Sequence, residues 1–136
     1  MKVALITDTS VWMRNRLTAL QVECLPSDLP LDPLDGEWFG LYQGTELVGF
    51  ASLTPEAEGV GYLSRAGVKA AYRGKGGQRL LIKAREKRAR ELGLKSLTSD
   101  TFDNPSSANN LMACGFRMYQ PSFPVSGVCY WRKRLA

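Results

Sequence analysis

Between an apolar run that ends at Val68 and a helical pattern that starts near Gln78 lies Arg73-Gly74-Lys75-Gly76-Gly77-Gln78-Arg79, a turn built from glycines and cations. Glycine lets a backbone pass close to a ligand with no side chain in the way. A helix start leaves its first N–H groups without intrahelical acceptors, and the helix dipole adds positive potential at the same place. Together these suit a phosphate or pyrophosphate. Arg73 and Lys75 add mobile charge, and Arg offers a planar fork matched to phosphate oxygens. A solvated basic turn is the alternative reading of such a run taken alone.

Composition narrows the remaining chemistry. A chain of 136 residues, 44% of them hydrophobic, is expected to form one domain over residues 1–136. Its net charge of +5 favours an anionic partner, a preference that small-molecule phosphates and nucleic acid would both satisfy. Histidine is absent, which removes Ser–His, Cys–His and His–metal chemistry. Proton transfer then falls to a carboxylate, Tyr, Lys, Cys or water. Cys24, Cys114 and Cys129 are odd in number and lack CxxC spacing, so neither a disulfide framework nor a metal site is expected, and reduced thiols follow. The apolar run before Asp8 is too short for a signal peptide or a membrane span. A soluble, cytoplasmic protein is the expectation.

Several elements must position the turn. Lys2 to Thr7 reads as a short buried strand, and Thr9 or Ser10 can cap a helix from Val11 whose apolar face would hold Val11, Trp12, Leu17, Leu20 and Val22. Pro26 to Gly36, rich in Pro and Asp, belongs to a surface loop. Trp38–Tyr42 and Leu47–Leu53 flank a short Gly-containing loop and predict a hairpin, which Val60–Val68 extends to an antiparallel meander. Gln78 to Leu92 follows as a helix, with Leu80, Leu81, Ala84, Arg88 and Leu92 towards one face and Lys83, Arg85, Lys87 and Arg90 on the other. Leu94 to Asp100 should enter beside Val60–Val68 as its parallel neighbour, because a helix connects the two. A short helix from Ser106 or Ser107 to Gly115 comes next, and Phe116–Tyr119 with Val128–Arg132 would close the sheet as edge strands.

Arg73 and Gly76 stand three residues apart, Leu63–Val68 precedes them, and Asn104-Pro105-Ser106-Ser107-Ala108 leads to Cys114-Gly115-Phe116. In this order the chain resembles the GNAT family of N-acetyltransferases over about its C-terminal two thirds. Gln78 departs from the pattern, standing where Gly or Ala is usual. Either a side chain sits near the pyrophosphate or Gly77 supplies the close approach. The resemblance implies an α/β (α+β) fold, a mostly antiparallel central sheet with one parallel strand pair, flanked by helices. It implies acetyl-CoA as co-substrate, an amine as acceptor and direct transfer between them. It assigns Ala66, Gly67 and Val68 to the pantetheine arm through main-chain groups, Arg73, Gly74, Lys75, Gly76, Gly77, Gln78 and Arg79 to the pyrophosphate, and Asn104 to the pantetheine or an ordered water. Asn104 is read equally well as a helix-start turn residue before Pro105.

The proton-transfer groups are less marked. The Tyr that often follows the Leu of the second motif is missing, since Met112 follows Leu111. Tyr62 takes the place where other members carry a Glu, and a phenol with an ordinary pKa of about 10 orients water or donates to sulfur better than it serves as a base. Asp100 is the best-placed carboxylate, with Asp103 and Glu58 behind it. Tyr119 could approach the thiol or belong to the core, and Cys114 reads as packing. The loop from Pro26 to Gly36 would wall the acceptor pocket. Two alternatives stay open: a non-catalytic acyl-CoA-binding module, and a nucleic-acid-binding domain that uses the basic helix. A homodimer is compatible with the resemblance, and a membrane partner is not expected.

Overall fold

The computed structural model describes residues 1–135. In chain order its elements are β1 (Lys2–Leu5), α1 (Val11–Cys24), β2 (Glu37–Gln43), β3 (Glu46–Pro55), β4 (Val60–Val68), α2 (Gly77–Glu91), β5 (Ser96–Phe102), α3 (Pro105–Ala113), β6 (Arg117–Met118) and β7 (Val128–Arg134). The strands form one seven-stranded sheet in the order β1-β2-β3-β4-β5-β7-β6. Every neighbouring pair is antiparallel except β4 and β5. This is the mixed architecture that the sequence implied. Its parallel pair is joined by α2, as a crossover requires. No described helix is long and apolar enough to cross a membrane.

Two apolar layers cover the sheet. Met13, Leu17, Leu20 and Cys24 of α1 pack on Trp38, Leu47 and Phe50, while Leu81, Ile82 and Ala89 of α2 and Leu111 of α3 pack on Phe39, Leu41, Val48, Ala51 and Leu53. Strands β2 and β3 are buried on both faces and so read as nearly continuous apolar runs. Gly77 lies in the contact between α2 and the sheet, where a Cβ would stand 2.6 Å from Leu41 Cδ2.

Four expectations are corrected. β1 stops at Leu5 and is largely exposed, because it is an edge strand paired only with β2. The Ser10 hydroxyl accepts from Met13 N at 3.2 Å and starts α1 as expected, but the buried stripe is Met13, Leu17, Leu20, Gln21 and Cys24. Val11, Trp12 and Val22 face outward, since they fall off the i, i+4, i+7 spacing that this stripe keeps. On α2 the buried stripe is Gly77, Leu81, Ile82, Arg85 and Ala89, leaving Leu80 and Leu92 exposed. β7 is an interior strand between β5 and β6, so the last strand of the chain inserts rather than closing an edge.

The feature that shapes the centre is the parting of β4 and β5. They pair only through Val60–Tyr62 with Ser96–Thr98. Just past the last β4–β5 pair, the β3–β4 register jumps from Leu53↔Leu63 to Ser52↔Arg65, so Ser64 is an extra residue on β4. Such a bulge bends its strand and breaks the local ladder. The Ser64 hydroxyl is held by Ser52 Oγ at 2.7 Å and Thr54 Oγ1 at 3.0 Å, and Arg65 N donates to Ser52 Oγ at 3.0 Å. The guanidinium of Arg85, 3% exposed, donates from Nη1 to the Ser52 carbonyl at 3.2 Å and from Nε to Leu81 O at 3.1 Å.

On the other side of the gap β5 is held firmly. It pairs with β7 along its whole length. Lys133 of β7 donates to Glu86 of α2 at 2.6 Å and to Cys114 O at 2.8 Å, and Arg90 donates to the same carboxylate at 3.1 Å. Burial alone would push the Glu86 carboxyl up, but the hydrogen bonds and charges of Lys133 and Arg90 outweigh it and hold the group below its usual range. A carboxylate with a depressed folded value contributes stability that is present above the unfolded pKa of about 4.3 and is lost as pH falls through the folded value. Glu86→Gln is therefore expected to cost about 1–3 kcal/mol at pH 7, with the difference from wild type shrinking towards pH 3. Urea melts at both pH values check this, and a pH-independent difference would contradict it.

Candidate functional site

Two connected cavities occupy the gap and its mouth. The first, about 650 Å3, runs from the parted strands to the glycine turn. The second, about 740 Å3, opens on the opposite side, against the loop after α1. Ala66, Gln78 and Asn104 line both and mark the junction.

Backbone polarity in the first cavity follows from strand alternation. Arg65 N bonds to Ser52 Oγ and Lys69 N bonds to Val48 O, so these residues turn their main chain towards β3. The residues between them alternate, which places the N–H and C=O of Ala66 and Val68 on the gap side and those of Gly67 on the β3 side. Val68 O accepts from Arg73 Nε at 3.0 Å, which fixes that arginine beneath the turn. Gly67 contributes through its missing side chain, since a Cβ there would meet Cys24 Cβ at 2.7 Å and Phe50 Cε1 at 2.8 Å.

The turn itself has the form of an anion cradle. Gly74 and Gly76 have positive φ of 75° and 83°, and a Cβ on either would meet nothing within 4 Å. Gly76 caps α2 without any side-chain bond, so the N–H groups of Gly77, Gln78 and Arg79 lack intrahelical acceptors. Arg73, Gly74, Gly76, Gly77, Gln78 and Arg79 all line the cavity. Arg79 is steadied by a 3.0 Å bond from Nε to Asn110 Oδ1. Lys75 does not line it, and its ammonium lies 5.7 Å from the centre of the Tyr72 ring. Gln78 lines both cavities, and Gly77 lines the first while the position of its absent Cβ faces Leu41.

Asn104 takes the helix-start role of its two readings. Its Oδ1 accepts from Ser107 N at 3.1 Å and caps α3, and it also borders both cavities. Asp103, at φ 48°, turns the chain from β5 into that cap. From α3, Ser107, Asn110 and Leu111 line the second cavity, while Met112 is 51% exposed and lines neither cavity. The departure noted at Met112 therefore lies off the cavity wall.

The second cavity carries acids. Tyr62 donates to Asp100 Oδ2 at 2.8 Å, and both line the wall. Partial burial, then the hydrogen bond and negative charge of Asp100, push the Tyr62 phenol well above its ordinary value, so it stays a donor at neutral pH. Asp28 and Asp35 also line the cavity, and Asp28 pairs with Arg65 at 3.0 Å. The loop that brings them is anchored by buried Gln21, whose amide exchanges two bonds with the Leu31 backbone at 2.9 and 3.0 Å. Tyr119 lies elsewhere, in the β6–β7 region with Arg132 4.6 Å from its ring centre, and lines neither cavity. Glu58 and Asp103 are exposed and line neither.

Three contributors escaped the sequence reading: Gln21, the Ser52–Ser64 pair and Arg85. The sequence pattern assigns Arg85 to the solvated face of its helix, and the structure buries it. Its signal was present in the i+4 series Gly77, Leu81, Arg85, Ala89, a single cation inside an apolar stripe.

In fold, the chain is similar to an acetyltransferase of Bacillus subtilis in complex with CoA (21% identity, TM-score 0.77, covering 99% of both chains). It is similar to an IAA acetyltransferase of Bacillus cereus (18% identity, TM-score 0.76, 98% of both chains). It also matches the ribosomal-protein-S18-alanine N-acetyltransferase of Escherichia coli (13% identity, TM-score 0.77, 99% of this chain and 94% of that one). No curated protein is significantly similar in sequence. Residues 9–116 match the acetyltransferase (GNAT) family, further towards the N-terminus than the motifs alone suggested, and the chain belongs to that family.

Proposed function

We propose that this protein transfers the acetyl group of acetyl-CoA directly to an amine of a small molecule or peptide. The observation that carries the reading is the continuous path from the glycine cradle, past the gap-facing main chain of Ala66 and Val68, to the acid-lined cavity. The cradle fits a pyrophosphate, because the space beside Gly74 and Gly76 is open, with nothing within 4 Å of a Cβ on either, and the unpaired first N–H groups of α2 adjoin it. The parted strands fit an extended arm that pairs with the backbone as a missing strand would. Asp35 and Asp100, beside an Asp28 already paired with Arg65, give the opposite mouth the charge that draws a cationic amine.

Acyl transfer from a thioester needs position and proton management more than a protein nucleophile. The amine nitrogen attacks the carbonyl carbon, the C–N bond forms, the C–S bond breaks, and CoA leaves as a thiolate. One proton leaves the amine and one reaches the sulfur. A gap-facing N–H of β4 stabilises the charge that develops on the carbonyl oxygen. Asp100 accepts the amine proton, directly or through water, and Tyr62 orients that carboxylate by donating to its Oδ2. Water or the ammonium nitrogen of the tetrahedral intermediate supplies the proton that the sulfur takes.

Thioester consumption with a panel of polyamines, amino acids, aminoglycosides and peptides tests the reading: an N-acetylated product with equimolar free CoA is expected. CoA binding without turnover of any amine would leave a binding module instead. Within an active pair, Asp100→Asn should lower kcat by about a hundredfold or more below pH 8 and recover as pH rises, because the free amine needs its base less. Tyr62→Phe should cost less than this, and Tyr119→Phe should behave as wild type. A pH-independent Asp100→Asn defect would reject the base assignment.

The two adjacent glycines separate ligand approach from packing. Gly76→Val should lower acetyl-CoA affinity by at least about tenfold while costing about 1–3 kcal/mol through its positive φ. Gly77→Ala should cost about 1–3 kcal/mol by crowding Leu41, with a smaller change in affinity. Calorimetry and thermal melts on both variants check the contrast, and equal CoA affinity in wild type and Gly76→Val would move the ligand elsewhere.

A further inference from the structure

Arg85 is a buried cation with spare capacity. Two of its three nitrogens are bonded, Nε to Leu81 O and Nη1 to Ser52 O. Nη2 has no partner among the described residues, yet no described side-chain nitrogen or oxygen that is sealed from solvent goes unbonded. Nη2 therefore keeps contact with open space, and the space that Arg85 lines is the acid-side cavity. No carboxylate among the described residues pairs with the guanidinium. Burial drives its pKa down to about 9. A buried cation with no counter-ion is costly, and stapling a carbonyl at the bulge needs a donor but no charge.

The geometry points to a carboxylate on a substrate as the missing partner: we propose that Arg85 binds, through Nη2, a carboxylate carried by the ligand that occupies the cavity. This rests on the acyltransferase reading of the same site. The wall is divided in a way that suits a ligand with two ends. Ile82, Leu111 and Arg85 come from the helices, while Asp28, Asp35 and Asp100 come from the loop and β5, and the one other lining cation among the described residues, Arg65 of β4, is already paired with Asp28. An ammonium is drawn to the acids and a carboxylate to the arginine. The carboxylate belongs either to a dicarboxylic acyl thioester or to an acceptor such as an amino acid, and both present the same group to the same nitrogen.

Two ligand pairs distinguish these sources on the wild-type protein, with no variant that has to fold. Calorimetry compares succinyl-CoA with the neutral butyryl-CoA, and turnover with acetyl-CoA compares amino acids with their amides. At least about a tenfold preference for the carboxylate member of one pair is expected, as for a charge-assisted bond to a buried guanidinium. Arg85→Lys should keep part of that preference and Arg85→Gln should abolish it, the preference being read as the ratio within each pair so that any common change in thioester affinity cancels. No preference in either pair, or a preference that survives in Arg85→Gln, overturns the proposal and leaves the acyltransferase reading standing. Absence of binding by every thioester overturns both.

Discussion

The site depends on two parallel strands being kept apart against their tendency to pair. β4 and β5 have bare main-chain donors and acceptors along the parted stretch, and such groups seek partners. The separation survives because each strand is committed on its other side. β4 is bulged at Ser64 and tied back to β3 by Ser52, with Arg85 taking the carbonyl that the bulge releases. β5 is zipped along its length to β7, itself fastened to α2 through Lys133 and Glu86. The cost of the gap is met by packing and hydrogen bonds elsewhere, as strained functional geometry generally requires.

The helices then supply function at the ends of the gap. α2 starts beside the end of β4 and aims its free N–H groups at the glycine turn, while its interior carries Arg85 beneath the bulge. α3 starts at Asn104, which closes the junction between the cavities and satisfies the first turn of its own helix. α1 acts at a distance, through Gln21, by fixing the loop whose aspartates border the acceptor side. Gln21 and Arg85, side chains that a sequence would leave in solvent, are thus drawn inward by what they hold.

The legible part of the fold was the part that local chemistry dictates. Glycines at 74 and 76 and a helical pattern after them announce a turn with free donors, whatever the tertiary context. The hairpin around Gly44 and the capped start at Ser10 are local in the same sense. Facing was harder to read. Trp12 and Val22 are apolar yet outward, because burial on α1 follows the spacing of Met13, Leu17, Leu20 and Cys24. Arg85 is charged yet inward, because the bulge creates a buried acceptor that no sequence pattern reports. The insertion of β7 between β5 and β6 is a long-range choice and leaves no mark on the residues themselves. Tyr62 and Asp100 were candidates singly, and their 2.8 Å contact comes from register, where the parallel pair ends.

The account stands most directly on where CoA lies, and a crystal structure of the acetyl-CoA complex measures it. The account expects the pyrophosphate on the N–H groups of the Gly74–Arg79 turn, the pantetheine amides bonded to the main chain of Ala66 and Val68, and the thioester at the junction bordered by Gln78 and Asn104. A ligand bound outside the gap, or β4 and β5 zipped together beyond Tyr62 in the complex, would contradict it.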